Sequence, residues 1–163
     1  EAQYPLLVKQ LAPWLGKAPL WYWGHEHRLT LYEKINTQDC TIRGRCIGHA
    51  GMPDDMNYTP TKPEWGSAVT MTQKAGRGIP DEHGHKFSYC GWLTFEFNGP
   101  EFKARYFEED PDQTHIPFTP PKAPVLEECW TIGADGNVTG KITAFDDSAM
   151  ELAGKHQLDD LVK

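Results

Sequence analysis

Two histidines lie two residues apart in Gly24-His25-Glu26-His27, and no other residues in the chain have types and spacing better suited to chemistry. Neutral imidazole is the commonest protein ligand for first-row transition metals. On a loop, a His-x-His pair can turn toward one cation or toward two neighbouring ones. Gly24 is expected to let the backbone turn sharply just before the pair. The local context strengthens the motif. It follows the apolar run Leu20-Trp21-Tyr22-Trp23, and length and aromatic content predict a buried strand over 18–23. Ahead of that strand, Leu7, Leu11, Trp14 and Leu15 recur at helical spacing and predict a short helix over 5–15. Pro5 suits its first turn, Pro13 kinks or ends it, and Gly16 caps it. Helix, loop and buried strand form half of an α/β unit, and such sheets place ligands at the carboxy ends of their strands.

Other candidates surround this pair. His49, in Gly48-His49-Ala50-Gly51, follows a predicted strand over 41–47. It is placed either to contact substrate or to make a backbone hydrogen bond within its loop. His83 and His85 flank Gly84 and read first as a solvated pair, second as a separate metal site. Glu26 reads first as a solvated spacer and second as a partner that supports the metal-binding histidines. Arg43 and Arg45 share one strand face; a solvated sheet edge is preferred over a phosphate site.

The rest of the chain is β in texture. Alternation predicts strands over 29–35 and 68–72, and most clearly over 87–97, where Tyr89, Leu93, Phe95 and Phe97 share a face and the aromatic Tyr89, Trp92, Phe95 and Phe97 are read as core rather than as a stacking platform. Asn98-Gly99 signals a hairpin whose return strand, 101–108, puts Phe102, Ala104 and Tyr106 on one face. A second hairpin is expected over 125–132 and 138–144 around Asp135-Gly136. Residues 115–124, with the nearby Pro111, are rich in Pro and expected to be extended, and the tail over 147–162 is read as weakly helical with Asp147 or Ser148 as its cap. The fold class is therefore α+β and β-rich. Residues 1–110 are expected to form the main unit, with 111–163 as a Pro-rich connection, β-hairpin and C-terminal helix.

Composition narrows the function. The 163 residues carry a net charge of −7, which argues against nucleic acid as a partner. That charge is compatible with phosphate chemistry if divalent cations supply the positive charge. No apolar run is long enough to span a membrane, and no secretory segment opens the chain, so a cytoplasmic setting is expected. The four cysteines form no C-x-x-C pair and are expected to be buried free thiols. The chain opens on Glu1, as expected of a processed product, a proteolytic product or an excerpt.

Trp21-Tyr22-Trp23-Gly24-His25-Glu26-His27 resembles the final metal-binding block of the calcineurin-like metallophosphoesterases, a hydrophobic strand running into G-H-x-H. The similarity covers about residues 4–107 and is strongest over 20–27. It implies the C-terminal half of a two-sheet sandwich with flanking helices. It also implies two divalent transition-metal ions (Mn, Fe, Zn or Ni), with His25 on one and His27 on the other, acting on a phosphate ester substrate by hydroxide attack on phosphorus. The family's earlier blocks are not found in order. Asp81-Glu82-His83 comes after the G-H-x-H, and Gly136-Asn137 is followed by Val138. The remaining ligands are therefore expected from an N-terminal portion of the same protein or from a complementing chain, and this chain alone is expected to be inactive. Two alternatives compete: a β-rich binding or assembly module, and a small metal-binding domain built from His25, His27, His83 and His85.

Overall fold

The computed structural model describes residues 10, 11, 13, 14, 20–36, 41–51, 69–74, 77–109 and 123–163. Eleven strands appear among them: β1 (Trp21–Trp23), β2 (Leu29–Asn36), β3 (Thr41–Ile47), β4 (Val69–Gln73), β5 (Ile79–Pro80), β6 (Lys86–Phe87), β7 (Gly91–Asn98), β8 (Glu101–Glu108), β9 (Leu126–Ile132), β10 (Val138–Phe145) and β11 (Met150–Leu152). One 3-10 turn, Leu158–Leu161, follows them. The β-rich expectation holds. The expected helix over 5–15 falls largely outside the described residues; Gln10, Leu11, Pro13 and Trp14 have helical backbone. The Pro-rich stretch over 111–122 lies outside them as well.

The strands form two main sheets. The first is mixed, with order β1-β3-β2-β4-β11; the second is antiparallel, with order β10-β9-β8-β7. The two sheets pack face to face. Leu29, Leu31 and Met71 of the first meet Ala104, Tyr106 and Leu126 of the second in one core, which Met150 and Leu161 complete. Each fully buried aliphatic side chain of this kind contributes about 1.5–3 kcal/mol. Strands from 126 onward complete both sheets, since β9 sits beside β8 and β11 pairs with β4. Residues beyond 123 are thus built into the same sandwich as the earlier strands.

The β7–β8 hairpin turns at Gly99-Pro100, with Asn98 opposite Glu101. Gly99 has φ 58°, the left-handed value that tight hairpin turns require and that glycine adopts without strain.

The tail corrects the expected helix. Met150–Leu152 adds to the edge of β4, and Asp146, rather than Asp147 or Ser148, organises the preceding turn. Its carboxylate accepts hydrogen bonds from the Ser148 backbone N–H at 2.8 Å and the Ser148 hydroxyl at 2.6 Å. A free sheet edge decides between helix and strand for so short an apolar run.

Arg43 and Arg45 do share a face, but it is the inner one, and neither is solvated. Arg45 is fully buried and forms a two-pronged ion pair with Glu128 of β9, at 3.0 Å from Nε and 2.9 Å from Nη2. Its remaining donors reach the carbonyls of Leu161, Gly44 and Tyr32. Glu128 also accepts from the Tyr106 hydroxyl and from Trp130 Nε1. The Tyr22 hydroxyl lies 3.2 Å from that of Tyr106, extending the network to β1. All five guanidinium donors are engaged, so the buried charge is matched rather than stranded. Arg43 lies over the Trp130 ring at 5.3 Å.

Candidate functional site

β1 and β3 run parallel, with Trp23 opposite Cys46. Parallel neighbours have their carboxy ends at the same edge of the sheet. The loop after β1 (His25, Glu26, His27) and the loop after β3 (Gly48, His49) therefore lie side by side, where open sheets with parallel strands tend to hold ligands. The sequence could not reveal this pairing, because β2 intervenes in the chain and lies on the far side of β3.

Contact between the two loops is close. A Cβ on Gly48 would fall 1.9 Å from the Glu26 carbonyl oxygen and 3.2 Å from the His25 nitrogen. That carbonyl also accepts the Arg28 N–H at 2.8 Å and lies 3.5 Å from the Cys46 sulfur. Burial pushes the Cys46 thiol up to about 11, so it stays protonated and can donate. The loop is thus pinned at its centre by the backbone of its neighbour.

Gly24 does not supply the sharp turn. His25 does, with φ 86°, the only positive value on a non-glycine residue among the described residues. Such a conformation costs of order 1–3 kcal/mol and persists where surrounding contacts over-determine it. Those contacts are the Gly48 backbone and the turn across Glu26. A Cβ on Gly24 would make only an ordinary 3.9 Å contact. His25 is exposed and His27 half-buried. Glu26 is more than a spacer: its carboxylate accepts the Tyr32 hydroxyl at 3.1 Å. Tyr32 in turn stacks on Trp23 with ring centroids 5.3 Å apart. Burial first, and the Glu26 charge second, raise the Tyr32 hydroxyl well above its usual range, keeping it a donor.

His49, expected either to contact substrate or to make a backbone hydrogen bond within its loop, turns its ring inward. It is 1% exposed and packs on β7, with Nε2 2.2 Å from where a Gly91 Cβ would stand. Its own carbonyl accepts the Gly91 N–H at 3.1 Å. Neither ring nitrogen has a hydrogen-bond partner among the described residues. Burial lowers its pKa from 6.5 to about 4; the nearby Ile47 and Phe107 carbonyls oppose that shift without reaching hydrogen-bonding geometry.

A pH dependence follows. Between about pH 6.5 and 4 the unfolded chain binds a proton at His49 that the folded chain refuses. Stability should therefore fall with pH across that window, by about 3 kcal/mol at most. Glu108 works in the opposite sense, since burial raises its carboxyl and makes the folded state the better proton acceptor. Urea unfolding of the wild type and His49→Leu at pH 7 and pH 5 separates the two. The variant should lose most of the difference attributable to His49; an identical pH response in both proteins would refute this assignment.

The remaining candidates stay apart from the site. His83 and His85 sit exposed in the β5–β6 loop with ring centroids 6.5 Å apart, and the Asp81 carboxylate accepts both of their backbone N–H groups at 2.8 Å. Among the described residues no group of three or more His, Cys, Asp or Glu is arranged to hold a metal. Cys46, Cys90 and Cys129 are free thiols; Cys40 lies outside the described residues. No described helix is long and apolar enough to cross a membrane. No protein-family model, no curated protein and no solved structure matches this chain.

Proposed function

We propose that this chain is the carboxy-terminal segment of a two-metal phosphoester hydrolase of the calcineurin-like kind, in which His25 and His27 are metal ligands. The observation that carries the reading is the His25–His27 loop itself. It holds a strained histidine at the carboxy end of β1, next to the equivalent end of β3, and is fixed by a glycine that leaves no room for a side chain. Backbone strain of this kind concentrates at functional sites. Two imidazoles cannot define a dinuclear centre. The remaining ligands for the two divalent ions (Mn, Fe, Zn or Ni) come from an N-terminal portion of the same protein or a complementing chain, and this chain alone is inactive. His49 then acts by packing: its buried ring ties the Gly48 loop to β7, and so holds the metal loop in place. We place the protein in the cytoplasm, where thiols such as Cys46 ordinarily stay reduced.

The test is metal content and hydrolysis together. The protein completed by its upstream polypeptide should retain about two metal ions per chain and cleave phosphomonoester or phosphodiester probes. His25→Ala with His27→Ala should lower metal affinity by at least 100-fold and abolish turnover, while leaving the unfolding midpoint within about 1 kcal/mol of wild type, as surface changes usually do. Unchanged metal content in the double variant would end this reading. It would leave the β-rich binding module.

A further inference from the structure

We propose that the β5–β6 ribbon closes over the His25–His27 loop, and that His83 and His85 at its tip join that pair around one first-row transition-metal cation. The inference rests on the metal role proposed for His25 and His27, and adds two ligands from this chain itself.

Placement follows from strand direction. β2 is antiparallel to both β3 and β4, so β4 runs parallel to β3 and to β1. The carboxy ends of these three strands therefore share one edge of the sheet. The loop that carries His25 and His27 crosses that edge from β1 to the start of β2, passing beside Gly48 at the end of β3. The ribbon leaves the same edge from the end of β4 and rejoins the body at β7. Both of its roots touch the site. At one, the Gln73 side-chain oxygen accepts the Leu29 N–H at 2.9 Å, two residues beyond His27. At the other, the Gly91 N–H donates to the His49 carbonyl at 3.1 Å, next to Gly48.

The ribbon is long enough to reach across. Residues 78–87 fold back on themselves, so the tip stands about 15 Å from the root at about 3.3 Å per residue. The ends of β4 and β3 are separated by two strand spacings, roughly 10 Å.

The histidines are presented as a unit. Ile79 pairs with Phe87 and Pro80 with Lys86, in a small sheet separate from the two main ones. A Cβ on Gly78 would stand 2.2 Å from the Phe87 carbonyl oxygen, so the two strands are closely registered. The Asp81 carboxylate holds the backbone of both histidines, and their rings are 72% and 58% exposed. At the root, the Arg77 guanidinium pairs with the buried Glu108 carboxylate and lies over the Tyr89 ring at 4.7 Å. That anchors the ribbon at its base while its tip can turn. Four neutral imidazoles complete a tetrahedral shell for a divalent ion, whereas either pair alone leaves it half-filled. The two pairs stand apart in this structure, so binding the cation draws the ribbon down onto the loop.

The experiment titrates the 163-residue chain with Zn2+ by calorimetry. About one ion per chain is expected. His25→Ala with His27→Ala, and separately His83→Ala with His85→Ala, should each weaken binding by roughly tenfold or more. With Cu2+ in place of Zn2+, electron paramagnetic resonance should show four coordinating nitrogens in the wild type and about two in either variant. Circular dichroism checks folding. Should a double variant fail to fold, His25→Ala or His83→Ala alone carries the test, since both side chains are exposed. The inference is overturned by no Zn2+ binding, by affinity indifferent to His83 and His85, or by a Zn2+-induced dimer in sedimentation. Affinity that needs His25 and His27 but not the ribbon pair would sink the ribbon site and leave the proposed function standing. A site that needs both pairs, in a completed protein that cleaves no phosphoester, would do the reverse.

Discussion

Glu128→Gln should destabilise the protein by about 3–5 kcal/mol, the cost of leaving one member of a buried ion pair without its counter-charge. Arg45 lies fully buried between the sheets and directs two of its donors at Glu128. The attraction of Glu128 holds the guanidinium pKa above its ordinary value even though burial opposes it. An amide at position 128 removes the charge and turns a donor toward groups that already donate: Arg45, Tyr106 and Trp130. For a chain of this size the melting temperature should drop by roughly 10 °C. Arg45→Met combined with Glu128→Leu should regain part of that loss, because paired removal leaves no stranded charge although the Tyr106 hydroxyl and Trp130 Nε1 lose their acceptor. Urea or thermal unfolding of the single and double variants decides the point. A single variant within 1 kcal/mol of wild type would mean that water reaches the pair.

Gly48→Ala should cost about 2–3 kcal/mol, the range of forced overpacking, and Gly24→Ala should cost little. The added methyl at 48 would stand 1.9 Å from the Glu26 carbonyl oxygen and 2.8 Å from its carbon, so the backbone of one loop must move. Relief comes from shifting the 24–27 loop, which carries both histidines. On the metal role proposed for His25 and His27, metal affinity should therefore fall with Gly48→Ala by at least tenfold, although neither histidine has been changed. At Gly24 the same methyl meets nothing closer than 3.9 Å, and φ there is not in the left-handed region. Equal effects of the two substitutions on unfolding and on metal retention would contradict the account of how the loop is held.

Strand positions and faces were readable from the sequence because each follows from local alternation. β2, β3, β7, β8 and the β9–β10 hairpin lie within a few residues of their expected places. The face of Leu93, Phe95 and Phe97 pairs with that of Tyr106, Ala104 and Phe102 as period two requires. The His25–His27 pair was likewise visible as a motif at a strand end.

Everything that depended on a distant partner was not readable. Arg45 looked solvated because its partner lies 83 residues away. Phe95 and Phe97 looked buried but are 45% and 74% exposed, because alternation names a face, while cover is set by how far the opposite sheet extends. Gly24 looked like the essential glycine because it adjoins the motif, yet the close approach is made by Gly48, brought alongside by the parallel pairing of β1 and β3. The sequence by itself determined which segments are extended and which side chains share a side. Tertiary structure alone decided which sides are covered, which charges are matched and which loops meet. Those outcomes depend on contacts between residues far apart in the chain, and local periodicity carries no information about them.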